Sequence, residues 1–185
     1  MAITRLGGAN AISGIIPVAN GGTGASSFTK GKVLQVTQNT NTSDSHSVSG
    51  NTYTDITFNS VVFEGTITPS SSSNKILILP SIPFRTVHNA SNDARCTITI
   101  LGKIGSSSYA NIFFSEQAAL LGGYDYGASG LQVGEIFTGK FLWSPSTTSE
   151  CKVKFQIANN ASSGASVSVN RSGYGASVIL MEVEG

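Results

Sequence analysis

Residues 95–104, R-C-T-I-T-I-L-G-K-I, decide the fold class because their side chains alternate along the chain. Successive side chains of a β-strand point to opposite faces. This order therefore gives two sets of three, Cys96, Ile98 and Ile100 on one face and Thr97, Thr99 and Leu101 on the other. An amphipathic helix would instead repeat its apolar residues three or four positions apart. The stretch predicts a strand with one face turned towards a core.

Similar short runs of β-branched and apolar residues recur on both sides of this stretch, separated by turn residues. The further predicted strands are 32–38, 53–58, 61–68, 75–79, 109–114, 131–143, 151–158, 165–171 and 177–183. In 53–58 the alternation places Tyr53 and Asp55 opposite Ile56 and Phe58. About nine short strands with frequent turns predict an all-β fold, a β-sandwich of the jelly-roll type. Residues 115–121 depart from this pattern and favour a helical turn or two.

The run K-I-L-I-L at residues 75–79 lacks alternation and is apolar enough to be buried on both faces. The serine run of residues 70–73 precedes it, and Pro80 and Pro83 follow it. Because proline cannot donate a backbone hydrogen bond, the two prolines are expected to end the strand or to mark it as an edge strand.

Composition excludes several classes of function. Only 11% of the 185 residues are charged, against about a quarter in typical soluble domains, and the net charge is +1. This balance gives no electrostatic basis for binding nucleic acid. No charged and apolar leader opens the chain, and no apolar run is long enough for a membrane helix, so no membrane insertion is expected. Cys96 and Cys151 are expected to be two buried free thiols, with a disulfide as the alternative.

The first 30 residues form a separate region, predicted to be an extended glycine-rich attachment arm ahead of a β-domain at 31–185. Its many glycines disfavour a helix. Branched apolar residues are nevertheless clustered there, which a flexible linker does not require. We therefore predict docking or oligomer contacts at Ile12, Ile15, Ile16, Pro17 and Val18.

No residue pattern predicts an enzyme, a cofactor or a metal. Residues 21–24, G-G-T-G, lack the preceding strand and the Gly-Lys-Ser/Thr of a phosphate loop. His46 and His88 lie in polar stretches and are expected to be exposed loop residues. The two cysteines stand 55 positions apart and match no zinc spacing. Two opposed carboxylates could support glycoside hydrolysis, but no pair stands out among the few acidic residues.

A loop rich in glycine and tyrosine is the predicted receptor-facing element. Tyr124, Asp125 and Tyr126 lie in G-G-Y-D-Y-G-A-S-G at residues 122–130, where local structure cannot bury all the rings. Exposed aromatic rings beside polar groups suit sugars and protein partners. Packing of the tyrosines onto an adjacent subunit or sheet is the alternative interpretation.

Residues 15–28, I-I-P-V-A-N-G-G-T-G-A-S-S-F, resemble a linker that recurs in bacteriophage tail-fibre and related appendage proteins. The opening M-A-I-T-R-L also resembles the start of short virion proteins from phages of aquatic bacteria. A β-domain of those proteins is similar to three further stretches: G-K-V-L-Q-V at 31–36, T-Y-T-D-I at 52–56 and I-T-P-S-S-S-S-N-K-I-L-I-L at 67–79. The resemblance implies that the S-S-N-K-I-L stretch links two strands.

The resemblance also implies a structural role in a phage virion, assembled in the host cytoplasm. The chain is expected to be a homotrimeric fibre or tail-tip protein that docks on other virion proteins by its arm. Its β-domain would adhere to a host surface polysaccharide or protein. The main alternative is a capsid decoration or head-fibre protein, and a distant one is a small polysaccharide-degrading enzyme.

Overall fold

Every regular element in the described part of the chain is a β-strand, which confirms the all-β prediction. The computed structural model describes residues 33–42, 44–87, 95–113, 120–121, 132–159, 165–170 and 173–185. Within these ranges no helix has the length and apolar character needed to cross a membrane. The predicted arm at 1–30 lies outside them.

Two antiparallel sheets and one small hairpin account for the strands. The first sheet contains β1 (Val33–Asn41), β2 (His46–Val48), β7 (Lys75–Val87), β11 (Gln132–Thr138), β12 (Phe141–Trp143), β14 (Ser166–Val169) and β15 (Ala176–Val183). The second sheet contains β3 (Thr54–Asp55), β6 (Glu64–Ile67), β8 (Cys96–Ile104), β9 (Ala110–Phe113), β10 (Leu120–Leu121) and β13 (Cys151–Asn159). The hairpin pairs β4 (Thr57–Phe58) with β5 (Val61–Val62).

Several of these short strands continue one another, so the two sheets together contain eight strand positions. β1 and β2 run along one line, as do β3 and β6, β9 and β10, β11 and β12, and β14 and β15. Numbered along the chain, the sheet orders are 1-8-3-6 and 2-7-4-5. Each position i thus pairs with position 9 − i, as in a long antiparallel ladder rolled into two sheets. This nested order is a jelly roll, and it confirms the predicted fold class.

The inner faces of both sheets form one apolar core. The alternation predicted for 95–104 is confirmed, because Cys96, Ile98 and Ile100 all lie in this core. Ile56 and Phe58 lie there too, as their alternation predicts. The core also contains Phe63, Ile67, Ile76, Ile78, Ile82, Phe84, Phe137, Cys151, Val153, Phe155, Ile157, Val167, Val169, Ala176, Val178 and Leu180. At Gly65 the sheets come close enough that an added Cβ would lie 2.9 Å from Leu180 Cδ1.

The prediction that Pro80 and Pro83 end a strand or mark an edge is wrong. β7 continues through both prolines to Val87 and has neighbours on both sides. Asn170 N donates to Pro83 O over 2.8 Å, so Pro83 faces the neighbour formed by β14 and β15, where that line is interrupted. Because backbone groups alternate between neighbours, Pro80 faces the line of β11 and β12, which is interrupted at residues 139–140. Each proline therefore turns its missing N–H towards a point where the neighbouring line is interrupted.

The cysteines are two buried free thiols, as predicted. Cys151 pairs with Ile104 and Cys96 with Asn159, so they lie at opposite ends of the ladder between β13 and β8. Burial raises the pKa of Cys96 to about 12 and that of Cys151 to about 11, which keeps both thiols protonated near neutral pH.

The helical turn predicted at 115–121 is wrong for Leu120–Leu121, which pairs with β8 as a strand. Residues 115–119 lie outside the described ranges. Residues 68–74 connect β6 to β7 and carry the chain from the second sheet to the first, as the resemblance implies.

Candidate interaction surfaces

The outer face of the first sheet carries an apolar row that crosses all four of its positions. Val36 lies opposite Met181, Met181 opposite Leu77, and Leu77 opposite Leu142. Val36 is 54% exposed and Leu142 49% exposed, while the two central side chains are half-buried. Cross-strand neighbours of this kind form a continuous surface.

A second row lies directly beside the first. Ile179 is paired with Leu79 on one side and with Gln38 on the other. The exposed Lys140 ends this row opposite Leu79, because β11 and β12 share one register against β7. Ile136, 59% exposed, lies further along the same line, beyond Thr138. We call this surface the apolar face and define it by Val36, Leu77, Leu79, Ile136, Leu142, Ile179 and Met181. It extends across every strand line of the sheet, unlike a scatter of single exposed apolar residues.

Polar residues of β1 point inwards, which turns the apolar residues of this strand outwards. Their side chains donate to backbone oxygens of β6 and of Thr68, which follows β6. Gln35 donates to Thr68 O over 2.5 Å, Thr37 to Thr66 O over 2.9 Å and Asn39 to Glu64 O over 2.8 Å. This ladder closes one side of the sandwich by hydrogen bonds instead of apolar packing. Val36 faces outwards as a result.

The outer face of the second sheet is charged and hydrogen-bonded. Lys152 pairs with Glu64 and Lys154 with Asp55, each with an N–O distance of 2.7 Å. The side-chain amide of Gln156 donates to the second carboxylate oxygen of Asp55 over 2.8 Å. We call this surface the polar face and define it by Asp55, Glu64, Thr99, Lys103, Tyr109, Asn111, Lys152, Lys154 and Gln156.

Tyr109 is the centre of the polar face. Its hydroxyl donates to Glu64, and the ammonium groups of Lys154 and Lys103 lie 4.2 Å and 5.1 Å from the ring centroid. Burial and the nearby Glu64 raise the pKa of Tyr109, so the hydroxyl keeps its proton. Burial would raise the pKa of Glu64, but the hydrogen bonds from Lys152 and Tyr109 outweigh it and leave that pKa lowered.

A shallow depression of about 210 Å³ opens beside Tyr109 on the polar face. Its lining consists of Tyr53, Thr99, Leu101, Tyr109, Asn111 and Gln156. Thr99 donates to the Asn111 carbonyl oxygen over 3.0 Å. Half of the lining is therefore aromatic or apolar, and the polar groups of the other half have positions set by protein partners.

A buried carboxylate of the first sheet holds the connection between the two sheets. Glu182 of β15 is 1% exposed and accepts from Ser70 N at 2.6 Å, Ser70 Oγ at 2.7 Å, Asn74 Nδ2 at 2.6 Å and Gln35 Nε2 at 2.8 Å. Burial would raise the pKa of Glu182, but these hydrogen bonds lower it to about 2. The carboxylate therefore fixes the turn between β6 and β7.

The residues predicted to contact partners do not fall in the described part of the chain. Ile12, Ile15, Ile16, Pro17 and Val18 lie outside it, and so do Tyr124, Asp125 and Tyr126. The same holds for His88 and for residues 21–24. These assignments stay predictions.

His46 does not occupy an exposed loop, so that expectation is wrong. It belongs to β2 and is half-buried. Thr57 N donates to its Nδ1 over 3.4 Å. Burial lowers the pKa of His46, although the backbone of Thr57 and the neighbouring Asp44 act in the opposite direction.

Neither surface could be predicted as a site from the sequence, because each is assembled from separate segments of the chain. The residues of the depression come from five separate strands or connections, and no local motif links them. The apolar face did leave one signal, the non-alternating run at 75–79. Within the described ranges, no three His, Cys, Asp or Glu side chains are grouped so as to hold a metal ion.

No protein-family model matches the chain, and neither does any curated protein sequence. A structure of infectious bursal disease virus, Gx strain, is 16% identical with a TM-score of 0.35, over 82% of this chain and 37% of that chain. A mutant VP2 protein of the same virus is 16% identical with a TM-score of 0.37, over 80% of this chain and 36% of that chain. The VP2 subviral particle gives 14% identity and a TM-score of 0.35, over 80% of this chain and 37% of that chain.

The similarities to this virus, two of them to its VP2 protein, are thus distant. The chain corresponds to little more than a third of the length of each matched structure. TM-scores of this size do not define a shared fold. The jelly-roll assignment rests on the strand order.

Proposed function

We propose that the protein is a structural component of a bacteriophage virion, a homotrimeric fibre or tail-tip protein. Copies of the chain associate through the apolar face, and the polar face is displayed towards the host surface. The arm at residues 1–30 docks on other virion proteins. The single observation that carries this proposal is the apolar row through Val36, Met181, Leu77 and Leu142.

The association is favoured because the first row of the apolar face, through Val36, Met181, Leu77 and Leu142, holds no charged side chain. Charged positions flank it: Lys140, opposite Leu79 at the end of the second row, and Lys75 and Arg85 of β7. In a closed trimer each copy offers one part of this face to each of its two neighbours. The first row buries apolar area there without leaving a charge unpaired.

The polar face suits display because its charges are compensated within the chain. Lys152 and Lys154 each have a carboxylate partner, so this surface stays hydrated without attracting further copies. Low charge and many hydroxyl and amide groups are consistent with a protein that works outside the cell. A capsid decoration or head-fibre protein would share these features, and copy number per particle distinguishes it from a fibre.

A polysaccharide-degrading enzyme is less well supported. Asp55 and Glu64 occupy one edge line of the second sheet, opposite Gln156 and Lys154 of β13, about 7 Å apart along the strand. Glycoside hydrolysis needs one carboxyl group that is protonated near neutral pH. Both carboxylates are instead ion-paired, and the pKa of Glu64 is lowered.

The oligomeric state of the full chain tests the proposal. Light scattering after size-exclusion chromatography should give three times the 19.1 kDa chain mass. Leu142→Lys should shift the protein to monomer, because a lysine in the apolar row would have to be buried without a partner. The matched control is Thr66→Lys, which adds the same charge to an exposed position on the outer face of the second sheet and should leave the mass unchanged.

Two results would overturn the proposed association. The first is an unchanged mass for Leu142→Lys. The second is a monomeric parent protein. If Leu142→Lys also lowers the thermal stability of that monomer, the chain itself covers the face. Counting copies in purified particles by quantitative mass spectrometry separates a tail organ, with few copies, from a capsid coat, with many.

A further inference from the structure

We infer that the depression beside Tyr109 is a binding site for one unit of a neutral saccharide. The inference rests on the proposed host-surface adhesion and names its ligand class and its site. The predicted receptor loop at Tyr124, Asp125 and Tyr126 is a different part of the chain.

The walls of the depression suit the apolar face of a sugar ring. Tyr53 and Tyr109 supply aromatic surface, and Leu101 supplies an aliphatic floor that is 9% exposed. Aromatic rings that carry a polar end bind ligands that are apolar on one face and polar at the rim. At about 210 Å³ the depression is smaller than the roughly 300–1,000 Å³ of pockets that enclose drug-sized ligands, so it accommodates a single sugar unit.

The polar groups of the depression offer both a donor and an acceptor. The carbonyl oxygen of Asn111 already accepts from Thr99, which leaves its NH2 group to donate to a ligand. The NH2 group of Gln156 already donates to Asp55, which leaves its carbonyl oxygen to accept. A sugar hydroxyl donates one hydrogen bond and accepts others, so it can use both groups. The bonds within the protein hold the two amides in place before the ligand arrives.

The charges around the depression balance, which favours a neutral ligand. Three cations, Lys103, Lys152 and Lys154, are set against three carboxylates, Asp55, Glu64 and Glu150, a difference of 3 − 3 = 0. An acidic sugar would therefore meet no surplus of positive charge. It would have to displace an existing partner of a lysine.

Side-chain amide signals in nuclear magnetic resonance spectra of the full-length protein provide the test. The probes are glucose, galactose, mannose and N-acetylglucosamine, with glucuronate as the acidic counterpart. At least one neutral sugar should shift the amide signals of Asn111 and Gln156 saturably, with a Kd of about 1 mM, as expected for so small a ligand. The inference is overturned if no neutral sugar does so, if only glucuronate binds, or if the shifts map elsewhere.

Variants separate a binding role from a structural one. Asn111→Ala should weaken binding about 3- to 10-fold by removing one hydrogen bond, and Tyr53→Ala by more than about 10-fold by removing a wall. Asn111→Asp keeps the acceptor for Thr99 and loses the donor, so it should lose affinity like Asn111→Ala while it remains folded. Thr66→Ala, on the same outer face but away from the depression, should bind like the parent. Equal affinity in all variants would refute the site.

The outcome is independent of the test of assembly. A trimer that binds none of the neutral sugars removes the saccharide site and leaves the virion role in place. A monomer that binds one of them removes the proposed association and leaves the site.

Discussion

The two outer faces of the sandwich differ although both sheets contribute to the same core. The apolar face has Val36, Met181, Leu77 and Leu142 in one row. On the polar face a row runs through Glu64, Lys154 and Leu101. Its central residue is the ion-paired Lys154 of β13, where the apolar row has Leu77 of β7. A monomeric sandwich usually keeps both outer faces polar. The contrast is the basis of the proposal that one side serves assembly and the other faces solvent and ligand.

The largest expected change in the free energy of unfolding distinguishes the two faces of a single strand. In β7 the neighbours Leu77 and Ile78 are similar in size, but Ile78 lies in the core and Leu77 on the apolar face. Ile78→Ala should lower the free energy of unfolding by about 3 kcal/mol, and Leu77→Ala by less than about 1 kcal/mol. Urea unfolding in the Leu142→Lys background, where assembly is removed, measures both. Equal losses would mean that Leu77 is buried within the chain.

Acid should lower the stability that the buried Glu182 carboxylate provides and leave that of the apolar face unchanged. Because the folded pKa of Glu182 is about 2 against an ordinary 4.5, its stabilisation is complete above pH 4.5 and is lost as the pH falls towards 2. Glu182→Gln should cost about 2 to 3 kcal/mol at neutral pH, with the difference shrinking in acid. Urea unfolding at several pH values measures this. Glu184→Gln, at an exposed neighbouring position, is the control and should change little.

The ion pairs of the polar face should contribute less. A double-mutant cycle with Lys154→Ala and Asp55→Ala should give a coupling free energy of about 0.5 to 1 kcal/mol that decreases with added salt. The pair between Lys152 and Glu64 should couple more weakly, because Lys152 is 27% exposed and Lys154 only 11%. The reverse order would show that burial does not govern these pairs.

The smallest effect concerns the edge of the apolar face. Ile136 is 59% exposed, so Ile136→Thr should change the free energy of unfolding by no more than about 0.5 kcal/mol in the monomeric background. The same substitution should weaken association in the otherwise unchanged protein, as measured by sedimentation at several concentrations. A loss of stability above about 1 kcal/mol would contradict the exposure of this face.

Local alternation was sufficient to predict the fold class and the faces of the strand at 95–104. The sequence could not reveal that β7 passes through Pro80 and Pro83 as a central strand, because this depends on where the neighbouring lines are interrupted. It also could not reveal the depression. Tyr53 and Tyr109 are separated by more than fifty residues and approach each other only when the second sheet forms.

The sequence by itself determined an all-β protein of low charge with a glycine-rich N-terminal region. These properties follow from composition and from the two-residue period of a strand. The tertiary structure alone decided which side of a strand meets the core where alternation is absent. The run 75–79 is apolar on both sides, and only the pairing of β7 with its neighbours makes Ile76 and Ile78 core residues and leaves Leu77 and Leu79 on the apolar face. Outward placement depends on what packs against each face, and residues distant in sequence supply that contact.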